Sequence, residues 1–302
     1  MTTIELTGLT KRFGEKLAVD GLTATVRPGA VTGFLGPNGS GKTTTMRMLL
    51  GLDAPTAGTA RIGGRTYAEL TDPMRTVGAL LDPSWMHPNR SARAHLRWTA
   101  AAAGIPCARV DAVLELVGLA PVAGKPVRMF SLGMRQRLAL AGALLGEPEV
   151  LVLDEPANGL DPAGIVWLRG HLQRQAAEGR TVLVSSHLLA ETALTATELL
   201  VIGNGRLLAQ GPTAEVLGGR ARTVRVQAAA PEAFTAALRA AGHTVRGLPG
   251  ERAVLVPEAT TAQVGEIAAR HGLALLELTA QPASLEETFM ELTTDAAAEV
   301  AS

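Results

Sequence analysis

The chain has 302 residues, with 28 Lys+Arg balanced by 28 Asp+Glu, enough for one large domain or two ordinary ones and without formal net charge. That balance argues against a dedicated nucleic-acid binder, which carries a basic surplus, and the single Cys107 excludes an internal disulfide and fits a reducing compartment. Met1-Thr2-Thr3-Ile4-Glu5 lacks the basic and apolar regions of a signal peptide, and no apolar run approaches the ~20 residues of a membrane span. A membrane path, if the function needs one, is expected from another chain.

Apolar runs alternate with helical patterns, which predicts an α/β domain with a mainly parallel sheet. Ala30–Leu35 reads as a buried strand leading into a glycine-rich loop, and Thr43–Leu50 as a helix with Met46, Leu49 and Leu50 on its apolar face, stopped by Gly51. Ser91 is placed to cap a helix running to Gly104, and Ser131 to cap one that ends at Gly146-Glu147-Pro148. Val150–Leu153 reads as a short apolar strand. Asp161-Pro162 reads as an N-cap with Pro at the first helical position, followed by the stripe Ile165, Leu168, Leu172 and the stop Gly179. Thr181–Val184 is the next expected strand.

Composition shifts near Gly211-Pro212 and Gly218-Gly219-Arg220, an expected linker. Beyond it the pattern predicts strand Thr223–Gln227, helix Pro231–Ala241, strand Thr244–Gly247, strand Ala253–Val256, helix Thr261–His271 and strand Leu273–Leu278. This β-α-β-β-α-β order is that of a ferredoxin-like α+β domain. A last helix is expected over Ser284–Leu292. The expected domains are therefore 1–217 and 222–302.

The loop Gly36-Pro37-Asn38-Gly39-Ser40-Gly41-Lys42-Thr43-Thr44 lies between a strand and a helix, the context in which the G-x-x-x-x-G-K-T pattern binds phosphate. Its glycines let backbone N–H groups converge on phosphate oxygens, and the helix N-terminus adds partial positive charge. Lys42 is expected to reach the β- and γ-phosphates and Thr43 to ligate Mg²⁺. Asp154 ends an apolar strand and Glu155 follows it. With the phosphate loop upstream, Asp154 is placed to hold Mg²⁺ through water and Glu155 to orient or deprotonate the attacking water.

Three further segments complete a set: Phe130-Ser131-Leu132-Gly133-Met134-Arg135-Gln136-Arg137, Asn158-Gly159-Leu160-Asp161 and Ser185-Ser186-His187. In this order, together with the phosphate loop and Leu151-Val152-Leu153-Asp154-Glu155-Pro156, they resemble the ATP-binding subunit of an ABC transporter over roughly residues 1–217. The resemblance implies a P-loop NTPase cassette with a helical subdomain, which binds and hydrolyses ATP with Mg²⁺. It implies that Phe13 stacks on adenine and that His187 contacts the γ-phosphate and helps to position Glu155 and water. Phe130–Met134 resembles a degraded ABC signature that keeps Ser131 and Gly133. A hydroxyl and an unobstructed N–H at a helix start suit a γ-phosphate.

In the family this signature serves the ATP held by the opposite subunit, so a second copy of the chain, packed head to tail, is expected. The family pattern has Gln where this chain has Asp82, whose carboxylate can bind Mg²⁺ or a water but cannot donate a hydrogen bond when ionised. Trp85, Met86 and His87 follow it, either buried locally or forming an apolar patch for a membrane partner. The weak signature, Asp82 and the ending Ser284-Leu285-Glu286-Glu287-Thr288-Phe289-Met290 resemble drug- and antibiotic-export ATPases of the daunorubicin and bacitracin resistance type. The implied protein is cytoplasmic, peripheral to the inner face of the cell membrane, and energises a separately encoded transmembrane permease, with no nucleic acid as partner. An importer subunit, or a soluble ABC-type ATPase acting on ribosomes or DNA, is the alternative. A phosphate-loop kinase would not explain the signature, Glu155 and His187 together.

Overall fold

The computed structural model describes residues 1–186, 189–218, 222–248 and 253–282. The chain divides into two compact units, the first Met1–Thr213 and the second beginning at Ala214.

The first unit holds two sheets. Strands β1 (Ile4–Phe13), β2 (Lys16–Val26) and β4 (Ala57–Ile62) form an antiparallel sheet in the order β2-β1-β4. Strands β3 (Val31–Leu35), β5 (Val77–Leu80), β6 (Val150–Asp154), β7 (Thr181–Ser186), β8 (Glu198–Gly203) and β9 (Arg206–Pro212) form a second sheet in the order β5-β6-β7-β3-β8-β9. All its pairings are parallel except β8 with β9. Every residue of β3 and β6 is buried, Thr32 and Asp154 included, which is why both read as mostly apolar runs without alternation. Ile4, Leu9, Phe34, Met46, Val152 and Leu183 belong to one core that joins the two sheets through helix α1 (Lys42–Leu49). Burial of each such large side chain contributes roughly 1.5–3 kcal/mol.

The antiparallel sheet has no counterpart in the elements read from the sequence. Ile4–Thr7 and Leu22–Val26 alternate buried and exposed, but the alternation does not run the length of either strand, because the β1–β2 register shifts three times and Gly8 and Gly21 adopt positive φ. The helices capped by Ser91 and Ser131 are present: α3 (Ala92–Ala102) and α5 (Leu132–Leu144), preceded in the chain by the short α2 (Pro73–Thr76). Each serine oxygen accepts a hydrogen bond from the backbone N–H three residues on, at 3.2 Å. Between them lies α4 (Ala108–Leu116), which the sequence analysis did not single out. Leu96, Val113, Leu114 and Leu138 are buried where these three helices pack. Helix α6 (Pro162–Ala177) starts at Asp161, whose carboxylate accepts from the Gly164 N–H at 3.0 Å, and α7 (Leu189–Thr195) follows β7.

Helix α8 (Thr213–Gly218) opens the second unit. Strands β10 (Arg222–Ala228), β11 (Arg246–Gly247), β12 (Val254–Val256) and β13 (Leu275–Pro282) form an antiparallel sheet in the order β11-β12-β10-β13. Helices α9 (Pro231–Ala240) and α10 (Thr261–Arg270) bring Phe234, Leu238, Val264 and Ile267 against Val224, Val226 and Val256. The expected helix Ser284–Leu292 lies outside the described residues.

Candidate functional site

Strand β3 delivers the chain into the phosphate loop, and Gly41 makes the turn into α1 with φ 106°. A side chain there would be strained, and its Cβ would sit 2.6 Å from the Ala18 carbonyl oxygen. Lys42, at the first position of α1, is buried and donates from Nζ to the carbonyl oxygens of Gly36 at 2.6 Å and Pro37 at 3.2 Å. Burial lowers the Lys42 pKa, against the smaller opposing pull of the Glu155 and Asp154 carboxylates.

Strand β6 is two places from β3 in the sheet, with β7 between them, and its C-terminal end brings Asp154 to the same loop. Thr43 Oγ1 donates to Asp154 Oδ2 at 2.6 Å. Ser185 at the end of β7 donates from its hydroxyl to the other Asp154 oxygen and accepts from the Glu155 N–H at 2.9 Å. The Glu155 carbonyl accepts from Gln136 Nε2 at 3.1 Å, and Glu155 itself stands at φ 48°. A non-glycine residue in that region costs about 1–3 kcal/mol and persists only where its surroundings hold it. Ser185 holds the peptide before Glu155 and Gln136 the peptide after it.

Phe13, Gly39, Lys42, Thr43, Asp154 and Glu155 share one cleft of about 290 Å³, with Asn38, Gly41 and Thr44 also at its wall. Phe13 is 50% exposed, and the Lys11 ammonium lies 5.0 Å from its ring centroid. The Ser40 hydroxyl is buried without a hydrogen-bond partner. The residues fit a nucleotide with magnesium. A polyanion beside Lys42 would offset the cost of burying its charge. The Thr43–Asp154 pair presents hard oxygens of the kind magnesium takes when phosphates supply the rest. Among the described residues no cluster of three or more His, Cys, Asp or Glu could hold a metal alone.

Ser131 and Gly133 do not line this cleft. They start α5 against the Asn158–Asp161 loop: a Cβ on Gly133 would lie 2.6 Å from the Gly159 carbonyl oxygen, and Arg137 pairs with Asp161 at 3.0 Å. The Gly164 N–H, then Arg137, hold the Asp161 carboxyl below the usual range. Asp82 also stands apart. It follows β5, the edge strand of its sheet, and its carboxylate closes a local turn by accepting from the Ser84 N–H at 2.7 Å. It lines a separate groove of about 340 Å³ with Tyr67, Trp85, Met86 and His95. His187 lies outside the described residues.

Ser185 and Gln136 lie within the motifs, but nothing in the sequence assigns either a role. The partners that define them, Asp154 and Glu155, lie 31 and 19 residues away along the chain.

A strand, phosphate loop and helix beside a strand-end Asp-Glu pair, with a capped signature helix outside the cleft, define an ABC-type ATPase cassette. The ABC transporter family matches residues 19–158, and a domain of unknown function (DUF8746) matches residues 222–286. Bacitracin transport ATP-binding protein BcrA of Bacillus licheniformis is 43% identical over 214 residues, 70% of this chain and 70% of that protein. Nod factor export ATP-binding protein I of Burkholderia orbicola (strain AU 1054) is 36% identical over 303 residues, 96% of each chain. A solved structure of the ATP-binding subunit of an ABC transporter superposes with a TM-score of 0.65 at 27% identity, covering 70% of this chain and 91% of its own. The chain belongs to the ABC transporter family, and it is a nucleotide-binding ATPase.

Proposed function

We propose that this chain binds ATP with Mg²⁺, hydrolyses it between two copies of itself packed head to tail, and drives a separately encoded permease. The observation that carries the reading is the convergence of Lys42, Thr43, Asp154 and Glu155 on one cleft. The phosphate-loop N–H groups between Asn38 and Thr44 and the Lys42 ammonium hold the phosphates, and Phe13 receives the adenine on its exposed face. Thr43 and Asp154 hold the ion, while Ser185 orients the Asp154 carboxylate. Bound magnesium supplies neutralisation of charge on the phosphate oxygens. Glu155 accepts the proton of the attacking water. His187, by resemblance, faces the γ-phosphate. Ser131 and Gly133 lie outside their own cleft, which suits service to the nucleotide of a second copy. Asp82 lines a different groove and is left out of the magnesium set.

The permease is expected to be an exporter of a drug, antibiotic or similar compound, with the ATPase peripheral to the inner membrane face. Relatives named for bacitracin transport and Nod factor export support that direction. No helix of the described residues is long and apolar enough to cross a membrane. The groove carrying Asp82, Trp85 and Met86 is proposed to dock the permease, since Trp85, which lines it, is an exposed large apolar residue. Hydrogen exchange on the chain with and without its permease tests this: new protection is expected around residues 82–99. Protection confined to the second unit would remove this groove as the docking site.

A further inference from the structure

The chain is neutral overall, yet residues 83–145 carry eight Lys/Arg and only two Asp/Glu, Asp111 and Glu115. Part of that surplus is matched: Arg93 pairs with Asp111 at 3.0 Å, Arg109 with Glu147 at 3.1 Å and Arg137 with Asp161 at 3.0 Å. Arg90, Arg97 and Arg128 have no carboxylate partner among the described residues. Local structure gathers Arg90 and Arg128, and Arg97 is exposed on α3. The Val127 N–H donates to the Arg90 carbonyl at 3.0 Å and the Arg128 N–H to that of Pro88 at 2.9 Å. The Arg128 guanidinium donates to Asn89 Oδ1 at 2.5 Å. The Arg90 guanidinium lies 5.0 Å over the ring of Trp98, and Arg97 is the residue before Trp98 on α3.

Trp98 is 60% exposed and Met129, beside Arg128, 62% exposed. Core packing therefore does not account for either. Arginine with exposed indole is the pairing found at membrane–water interfaces, where the ring sits at headgroup level and guanidinium groups grip phosphates bidentately. A fluid anionic surface also needs no shape complementarity from exposed side chains.

We propose that the surface formed by Arg90, Arg97, Trp98, Arg128 and Met129 rests on anionic phospholipid headgroups beside the permease. The proposal rests on the membrane-docked reading above, but the lipid contact is measurable without the permease. The full chain is floated with vesicles of phosphatidylcholine alone, or with about one third phosphatidylglycerol, where each arginine near an anionic surface contributes about fivefold in partitioning. Binding is expected to the anionic vesicles only, and to fall as salt rises. Arg97→Gln with Arg128→Gln is expected to weaken it by roughly 25-fold, from about fivefold for each charge. Trp98→Ala should weaken it while leaving ATPase activity unchanged.

Equal binding to neutral vesicles, no binding, or binding indifferent to the arginine pair overturns the proposal. So does association that requires the permease whatever the lipid, which would assign the surface to an acidic protein loop. Retained ATPase activity and permease copurification in those cases would leave the transporter reading standing.

Discussion

Glu155→Gln keeps ATP binding and slows hydrolysis by roughly 10²–10⁴-fold, the usual contribution of a general base. The substitution changes only the head group. Ser185 accepts from the Glu155 N–H and Gln136 donates to its carbonyl, so the backbone at φ 48° stays held. An amide still hydrogen-bonds the attacking water but cannot take its proton at neutral pH. Nucleotide then persists between two subunits, and an ATP-dependent dimer should appear by size exclusion. Phosphate release at the wild-type rate would remove Glu155 from the chemistry.

Lys42→Ala lowers ATP affinity about tenfold or more. A charge-assisted hydrogen bond to phosphate contributes ~1.5–3 kcal/mol, and 1.4 kcal/mol is about tenfold in affinity. The same ammonium donates to the Gly36 and Pro37 carbonyls, so its loss also loosens the loop, in the same direction. Titration with a fluorescent ATP analogue reads the change. Equal binding to mutant and wild type would show that this loop does not hold the phosphates.

The parts of the site legible in the sequence are those whose geometry is local. The strand–loop–helix around Gly36–Thr44, and the Asp154-Glu155 pair at the end of an apolar run, carry their context within a few residues. Ser185 and Gln136 act across pairings that no local pattern encodes, so they acquire roles only when β6, β7 and α5 come together. Asp82 is a different case. The resemblance offered it as a ligand of magnesium or a water, and the structure has it after the sheet-edge strand, lining another groove with its carboxylate accepting from the Ser84 N–H. The β2-β1-β4 sheet was harder to read for a different reason: its bulges confine the alternation that marks a half-buried strand to short stretches such as Ile4–Thr7 and Leu22–Val26. In the second unit, Phe234, Leu238, Val264 and Ile267 recur at helical spacing and are buried, so their helices could be read.

The proposed function requires a composite catalytic site, with the cleft of one copy completed by Ser131 and Gly133 of another. Mixing a Ser131→Arg chain with a Lys42→Ala chain tests it most directly, because each alone spoils both sites of its own dimer. The mixed dimer retains one site with an intact phosphate loop facing an intact signature. ATPase activity well above the sum of the separate mutants is the predicted result. Activity no higher than that sum, with mixed dimers shown to form, would contradict the account and make each chain a self-contained catalyst.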